Sequence, residues 1–265
     1  PAKLAYLIVR WKNVSLQALI FQISRRRPEK LKAMLRKGTR AWLGEDFDID
    51  THFTPKYNPW DQRLCLVPNG DLFHSLRKGA CSIVTDHIKT FTKTGIKLAS
   101  GAFIKADIVV TATGLDLLAM GGMEIVVDTK VITIPETLGY KGMLLSDVPN
   151  FVVASGYTNA SWTLKCDLTS EYVCRMLNYL EHKNFDYCVA RNNNPDMDRV
   201  GFIDLTSGYI SRSIDQFPKQ GTVSPWRLRQ NYLLDVINLR FGSINDGVIE
   251  YGRAGLAPQA AIKGV

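Results

Sequence analysis

The chain has 265 residues, of which 46% are hydrophobic and 22% are charged, a composition typical of a globular protein with a sizeable core. The sequence contains no run of roughly 18 uncharged apolar residues, so it predicts no membrane-spanning helix. The first residues lack the apolar region and cleavage site of a signal peptide. They resemble the middle of a longer protein, so we expect a fragment. Five cysteines without a CxxC pair and four scattered histidines predict a reducing, cytoplasmic setting and no metal site.

The net charge of +8 is concentrated at the start of the chain. Residues 1–40 contain eleven lysines and arginines against the single acid Glu29, a net charge of +10, so the remaining residues sum to −2. A basic segment of this kind can bind nucleic acid or an anionic membrane. We favour a solvated helix surface over nucleic acid, because base-stacking aromatics are not interleaved with the charges, and keep peripheral membrane contact open.

Two helices and a long irregular stretch are predicted first. Apolar residues at helical spacing predict a helix over 2–24. "RRRPEKLKAMLRKGTRAWLG" predicts a second, with Pro28 near its first turn and Gly44 as its stop. "GEDFDIDTHFTPKYNPWDQR" then predicts a long functional loop, since its aromatic residues argue against disorder.

The middle of the chain predicts strands. "CSIVTD", "IKTFTKTG", "IKLASG" and "ADIVVTATG" predict a β-meander, and "NFVVASGY" (Asn150–Tyr157) predicts a buried strand before a helix over "ASWTLKCDLTSEYVCRMLNYLEHK". "SPWRLRQNYLLDVINLRFG" predicts a final helix. This order indicates an α/β fold, in which ligands lie beyond the carboxyl ends of strands. The inner stripe of the long helix is predicted to be Leu164, Leu168, Tyr172, Val173, Met176, Leu177 and Leu180.

Three stretches carry a resemblance to a known family. "FTPKYNPWDQRLCLVPNGDLFHSLRKGACSIVTD", "ADIVVTATGLD" and "VPNFVVASGYTNASWTLKCDLTSEYVCRMLNYL" resemble the C-terminal half of Baeyer–Villiger monooxygenases. These belong to the flavin-containing monooxygenase superfamily, and the chain looks most like its ethionamide-activating branch. The resemblance covers nearly the whole chain and is most specific over residues 51–240.

The resemblance implies parts of two dinucleotide-binding domains, for FAD and for NADPH. Residues 1–50 would be a helical segment in or beside the NADPH domain, 51–113 the end of that domain with the meander, and 114–265 the C-terminal part of the FAD domain. In the family each domain opens with a GxGxxG loop that holds a pyrophosphate. Neither loop occurs in this sequence, so both Rossmann-like domains would be incomplete.

The resemblance implies that Arg63 is the catalytic residue. In the family, NADPH reduces the flavin, which adds dioxygen to form a C4a-peroxide. A guanidinium that keeps its proton at working pH would hold this anion and then the tetrahedral adduct. The alternative for Arg63 is a salt bridge to Asp61 or Asp71. Further cofactor contacts implied on this side are Asp61, Gln62, Thr111, Ala112, Thr113 and Gly114, the last four of which could instead be an ordinary strand and turn.

"GYTNASW" precedes the long helix, whose N-terminal N–H groups would suit the negative edge of a reduced flavin. The resemblance implies that Asn159, Ala160, Ser161 and Trp162 line the substrate pocket, and that Trp162 also contacts the flavin. Alternatively, Ser161 or Asn159 merely caps the helix. Lys219, in a loop that folds over NADP in relatives, is the implied phosphate or ribose contact, although a solvated lysine is the ordinary alternative.

The resemblance therefore implies a monooxygenase that uses FAD, NADPH and O2. It would insert one oxygen atom into ketones, or oxygenate the sulfur of thioethers or thioamides. An N- or S-oxygenating enzyme of the same superfamily is the first alternative, and a non-catalytic basic module that binds membrane or nucleic acid is the second. Without both GxGxxG loops, the chain alone is expected to be inactive.

Overall fold

The computed structural model describes residues 1–65 and 67–255. The chain forms two compact units. The first unit contains residues 1–18 together with the residues from 116 onward, and the second contains residues 19–115. The boundary after residue 18 falls within the first helix, α1 (Ala2–Arg26). No helix in the described ranges has the length and apolarity needed to cross a bilayer.

The second unit combines helices with a small antiparallel sheet. Pro28 occupies the first turn of α2, where its missing N–H costs nothing, and Gly44 at φ +91° ends the helix. Two of the four predicted meander strands, "IKTFTKTG" and "IKLASG", are confirmed as β1 and β2, and they form one antiparallel sheet in the order β1-β2-β3 with a third strand that was not predicted. The elements after α1 are α2 (Pro28–Leu43), α3 (Ile49–His52), α4 (Asp71–Arg77), β1 (Ile88–Thr92), β2 (Gly95–Leu98) and β3 (Phe103–Lys105).

The long loop of residues 44–63 is ordered by its aromatic side chains. Phe47 packs against His52 and Phe53, with ring centroids 5.8 and 6.0 Å apart, and Phe53 packs against Phe73 at 5.8 Å. These contacts confirm the prediction that the stretch is not disordered.

The first unit is built around one long helix and four two-stranded antiparallel sheets: β4 with β5, β6 with β7, β8 with β11, and β9 with β10. A π-helical turn, Val236–Phe241, continues its last helix. Its elements are β4 (Val126–Val127), β5 (Lys130–Val131), β6 (Gly139–Tyr140), β7 (Leu144–Leu145), α5 (Trp162–Lys183), β8 (Tyr187–Ala190), β9 (Arg199–Gly201), α6 (Gly208–Ser213), β10 (Lys219–Gly221), α7 (Tyr232–Asp235) and β11 (Ile249–Gly252).

Helix α5 supplies the centre of the core of the first unit. Its inward side chains Leu168 and Tyr172 are fully buried beside Tyr140 and Ala190. Most of the predicted stripe is thus confirmed, but Leu177 is wrong, because its side chain is 57% exposed. Two further side chains of α5 that are buried, Lys165 and Thr169, are polar and were not part of the predicted stripe.

Two stretches predicted as buried strands lack that structure. Residues 106–114 form no strand, and Ile108 and Val110 are 83% and 84% exposed. A strand needs a neighbour to pair its N–H and C=O groups, and no described strand pairs with this one. Residues 81–86 are also not a strand. "NFVVASGY" makes only an isolated bridge between Val152 and Leu144, so it is an irregular segment rather than a buried strand.

The predicted final helix begins eight residues later than expected. Residues 224–231 are not helical, because their N–H groups have other acceptors: Leu228 donates to the side-chain oxygen of Gln220 at 2.8 Å, and Trp226 donates to Val223. Asn231 then caps α7, accepting from the N–H groups of Leu233 and Leu234.

Candidate active site

The N-terminus of α5 has no side-chain cap. Ser161 occupies the cap position, but its hydroxyl pairs with that of Thr163 at 2.9 Å. Asn159 donates to the carbonyl oxygen of Gln230 at 2.9 Å, and its own buried Oδ1 has no partner in the part of the chain described. The alternative in which Ser161 or Asn159 caps the helix is therefore wrong. The first turn of a 22-residue helix keeps donors and partial positive charge available for another group.

The segment before α5 passes directly across the helix start. A Cβ on Gly156 would lie 2.2 Å from Cγ of Trp162 and 2.5 Å from its Cα. Only glycine fits this approach. Cγ is part of the indole of Trp162, and this residue is 55% exposed, so a partly exposed aromatic residue borders the open helix end.

A cavity of about 480 Å³ lies beside this helix end, within the first unit. This volume is that of a small-molecule site. Aromatic and aliphatic side chains form much of its wall, and charged side chains enter it from α5, α7 and the loop of residues 224–230. The cavity lining includes Lys141, Tyr157, Trp162, Lys165, Phe202, Phe217, Arg227, Leu228, Arg229, Leu234, Asp235, Asp246 and Val248.

One buried ion pair joins the first turn of α5 to α7. Lys165 Nζ lies 2.8 Å from Asp235 Oδ2, which also accepts a 2.6 Å hydrogen bond from the Tyr157 hydroxyl. Burial, and next the charge of Asp235, raises the pKa of Tyr157. The phenol therefore remains a protonated donor, and the lysine charge is balanced inside the protein.

A second pair of the same composition lies at Lys141. Its Nζ is 3.1 Å from Asp246 Oδ2 and 3.2 Å from the Tyr172 hydroxyl. Tyr140 donates to Asp246 at 2.6 Å, and burial followed by the neighbouring Tyr172 raises the pKa of Tyr140. Both lysines of the cavity are thus held in place by a carboxylate and a tyrosine.

Arg63 lies in the second unit with its side chain exposed. The alternative salt bridge to Asp61 or Asp71 is not formed: Asp61 binds Arg25 at 2.8 Å and accepts from the backbone N–H of Asn58. Within residues 1–65 and 67–255, no carboxylate forms an ion pair with the Arg63 guanidinium. Its role at a flavin stays a prediction.

The remaining predicted contacts are divided between the units. Gln62, next to Asp61, takes part in a short bridge with Pro59. The residues of "TATG" lie exposed in the second unit, in the unpaired stretch described above: Thr111, Ala112, Thr113 and Gly114. In the first unit, Asn159, Ala160, Ser161 and Trp162 are adjacent at the start of α5.

Lys219 does not have the free ammonium that a phosphate contact would offer. It lies in β10, and its Nζ is 3.2 Å from Asp215 Oδ1. Nor is it a solvated surface lysine, because only 23% of its side chain is exposed. A nucleotide phosphate would have to compete with Asp215 for this charge.

Sequence reasoning missed the charged residues of the cavity. Lys165 could have been found, since it shares a helical face with Tyr172 and Met176, at spacings of seven and eleven residues. The partners Asp235 and Asp246 lie about 70 and 106 residues from the groups they bind. No local pattern in the sequence links residues so far apart.

A scan against protein-family models gives no match. The chain is 47% identical over 253 residues to the FAD-containing monooxygenase EthA of Mycobacterium tuberculosis, covering 96% of this chain and 52% of that protein. It is 42% identical over 254 residues to the protein named "Probable FAD-binding monooxygenase AlmA" of Acinetobacter baylyi, covering 96% of this chain and 51% of that one.

Among solved structures, the crystal structure of OTEMO in an FAD-bound form matches with a TM-score of 0.51 at 15% identity, covering 85% of this chain and 45% of that one. This likeness concerns the fold alone and confirms the mixed helix and strand class. The chain spans about half the length of the curated relatives it matches. It is a homologue of the FAD-containing monooxygenases over that half of their length.

Proposed function

We propose that this chain is the C-terminal half of an FAD- and NADPH-dependent monooxygenase of the Baeyer–Villiger type. Its reaction would insert one oxygen atom of O2 beside a ketone carbonyl, or oxygenate the sulfur of a thioether or thioamide. The similarity to EthA and the motifs "YNPWDQRLCLVPNGDLF" and "GYTNASWTLK" support the class of enzyme. The observation that carries the proposal is the uncapped start of α5 beside a cavity.

The residues of the first unit fit the ring end of FAD. The open N–H groups of α5 would face the edge of the ring that is negative when reduced, beside the exposed indole of Trp162. The pyrophosphate end does not fit this chain alone, because the sequence contains no GxGxxG loop. When bound, FAD supplies the redox chemistry with O2 and NADPH. The protein supplies position and charge.

Each predicted residue then has a distinct role. Arg63 would stabilise the anion that develops on oxygen, with a guanidinium that keeps its proton at working pH. Residues 159–162 would border substrate and flavin, and residues 61–62 and 111–114 would contact the cofactor. Lys219 would contact NADPH in exchange for Asp215. The exposed stretch before Gly114 would gain its strand partner from the half of the relatives that this chain does not match.

The uncapped helix start gives a direct test. Ser161→Asp supplies a carboxylate cap, which should stabilise the chain to urea by about 1 kcal/mol. The same carboxylate should repel the negative edge of the flavin. FAD content would be measured in a chimera that joins this chain to the part of M. tuberculosis EthA it does not match, with Ser161→Ala as the control. An Asp variant that is more stable and keeps full FAD would contradict the proposed flavin position.

Arg63 is tested in the same chimera. Arg63→Ala should lower product formation by roughly 100-fold or more, while FAD stays bound and NADPH is still oxidised. Arg77→Ala removes an exposed arginine of the same unit and serves as the matched control. Unchanged product formation in Arg63→Ala would exclude the catalytic role.

The chain alone should purify without stoichiometric FAD, because both pyrophosphate loops are absent. Absorbance near the visible flavin band measures this directly, and a stoichiometric yellow complex would contradict it. Ester formation from a ketone by the chimera would then separate Baeyer–Villiger chemistry from the alternative, an enzyme that oxygenates only amines or sulfides.

A specific observation also supports membrane contact. Leu4, Leu7 and Ile8 on α1 are 54%, 48% and 59% exposed, on a helix that begins the basic segment of residues 1–40. Apolar and basic residues on one helix favour an anionic lipid surface. We propose a cytoplasmic protein that reaches such a surface, and the five free cysteines support a reducing compartment. Cosedimentation with phosphatidylglycerol vesicles, lost in Leu4→Glu with Ile8→Glu, tests the contact.

A further inference from the structure

The loop of residues 224–230 is a fixed wall of the cavity. The carbonyl of Pro225 accepts from the backbone N–H of Lys141 at 2.9 Å. The side-chain oxygen of Gln230 accepts from the N–H of Thr158 at 3.0 Å, and its carbonyl accepts from Asn159. Gln220, itself 2% exposed, fixes the N–H of Leu228. Side chains on this loop are therefore presented to the cavity from an ordered backbone.

Two arginines on this loop differ from the two lysines of the cavity in their ion pairing. Lys141 and Lys165 are each neutralised by an aspartate, at 3.1 and 2.8 Å. Arg227 and Arg229 line the same cavity, and their guanidinium groups have no acceptor or acid partner in the ranges 1–65 and 67–255. Because the two carboxylates of the wall are already paired with lysines, the cavity carries an excess of about two positive charges.

The rest of the wall suits an apolar body rather than a second polar group. Aromatic and aliphatic side chains line the cavity together with the arginines and the first turn of α5. Apolar walls with a few fixed polar groups are typical of sites that bind small organic ligands. The apolar wall residues are Phe202, Phe217, Leu228, Leu234 and Val248.

We propose that this cavity binds an apolar molecule that carries an anionic group, a carboxylate or a phosphate, with Arg227 and Arg229 at the anion. The planar guanidinium donates two parallel hydrogen bonds to either group. Calling this ligand the substrate rests on the proposed function, whereas the binding itself does not. The apolar chain would extend along the wall toward Trp162, and thus toward the end of α5 where the flavin is proposed.

Binding is measured on the 265-residue chain by the fluorescence of its tryptophans, since Trp162 lines the cavity, and by calorimetry. The probes are decanoate, decyl phosphate and decanol, which share one chain length. We expect either anion, or both, to bind at least roughly 10-fold more tightly than decanol, and the two anions distinguish a carboxylate from a phosphate ligand. Decanol binding as tightly as both anions would overturn the inference.

Arg227→Gln with Arg229→Gln should weaken binding of the preferred anion by roughly 10-fold or more and leave decanol unchanged. Lys130→Gln with Lys183→Gln removes the same charge from exposed positions outside the cavity, and should leave both unchanged. The single variant Arg229→Gln, at an exposed residue, covers the case in which the double variant fails to fold. Equal weakening by the lysine control would reduce the effect to net charge and overturn the inference.

Two further outcomes separate this inference from the proposed function. Tight binding of adenosine 2′,5′-bisphosphate that excludes the decyl anions would assign the arginines to a nucleotide and overturn the inference. Decanoate binding in a chimera that holds no FAD would support the ligand class while contradicting the proposed function. Oxygenation of neutral ketones without any binding of the anions would support the proposed function and contradict the ligand class.

Discussion

Residues 107–114 and 150–157 are both short stretches with apolar residues and a glycine near the end, Gly114 and Gly156, yet their surroundings differ. In the first stretch Ile108 and Val110 are more than four-fifths exposed. In the second, Tyr157 is 2% exposed and its hydroxyl binds Asp235. Stretches of similar local sequence can therefore differ in how far their apolar side chains are buried.

The difference lies in what each backbone can bond to. The second stretch has partners close in the first unit: the N–H of Val153 donates to Met143 at 2.7 Å, and that of Asn150 donates to Cys188 at 3.0 Å. No described strand pairs with the first stretch. Apolar side chains pack only where the backbone beside them is also satisfied. The first stretch thus keeps its apolar side chains exposed where its backbone has no strand partner among the described residues.

Tyr157 and Val110 test whether the two stretches differ in packing. Tyr157→Ala should lower the free energy of unfolding by about 3–5 kcal/mol, because it leaves a cavity and removes a hydrogen bond from a buried carboxylate. Val110→Ala should change it by less than about 0.5 kcal/mol. Urea unfolding measures both, and similar losses would show that the two stretches are equally packed.

Gly156 and Gly114 differ in what prevents a larger residue at each position. Gly156→Ala should cost about 1–3 kcal/mol, because the new Cβ would lie 2.2 Å from the Trp162 ring. Gly114→Ala should cost about 1 kcal/mol for a different reason, the strain of an L-residue at φ +109°. Thermal unfolding of both variants gives the order, and a larger loss at Gly114 would contradict it.

Cys188, whose carbonyl accepts from Asn150 in the second stretch, is expected to give the smallest change in stability. Burial raises the pKa of the Cys188 thiol from 9.0 to about 11. The folded state thus holds this proton more tightly than the unfolded state, so the contribution is complete below pH 9 and is lost as the pH rises toward 11. Between pH 8 and 10 the thiol should account for a loss of about 1 kcal/mol in the free energy of unfolding. Cys188→Ala should lack that part of the loss of stability at alkaline pH. Equal losses in the wild-type chain and in the variant would exclude a contribution from the thiol.

Elements that depend on neighbouring residues were predictable from the sequence. Helices α1, α2 and α5 follow from apolar spacing with Pro28 and Gly44 as end signals, and the meander follows from Gly95 and Gly101 at its turns. Strands over 106–114 and 150–157 and a helix over 224–231 were predicted wrongly. In each case an apolar or helical pattern was clear. The backbone over 106–114 has no strand partner among the described residues, and in the other two stretches N–H groups donate elsewhere, as Leu228 does to Gln220.

Local sequence was enough to predict most helices and turns, and the motifs around Arg63 and Trp162 were enough to indicate the class of enzyme. Three features needed the folded structure: Ser161 leaves α5 uncapped, Lys165 and Asp235 form a buried pair, and Arg227 and Arg229 line one cavity without an acid partner among the described residues. The physical reason is the separation along the chain of the residues that interact. A helix is specified by residues three or four positions apart, whereas the charge of a site depends on groups that only folding brings within 3 Å of one another.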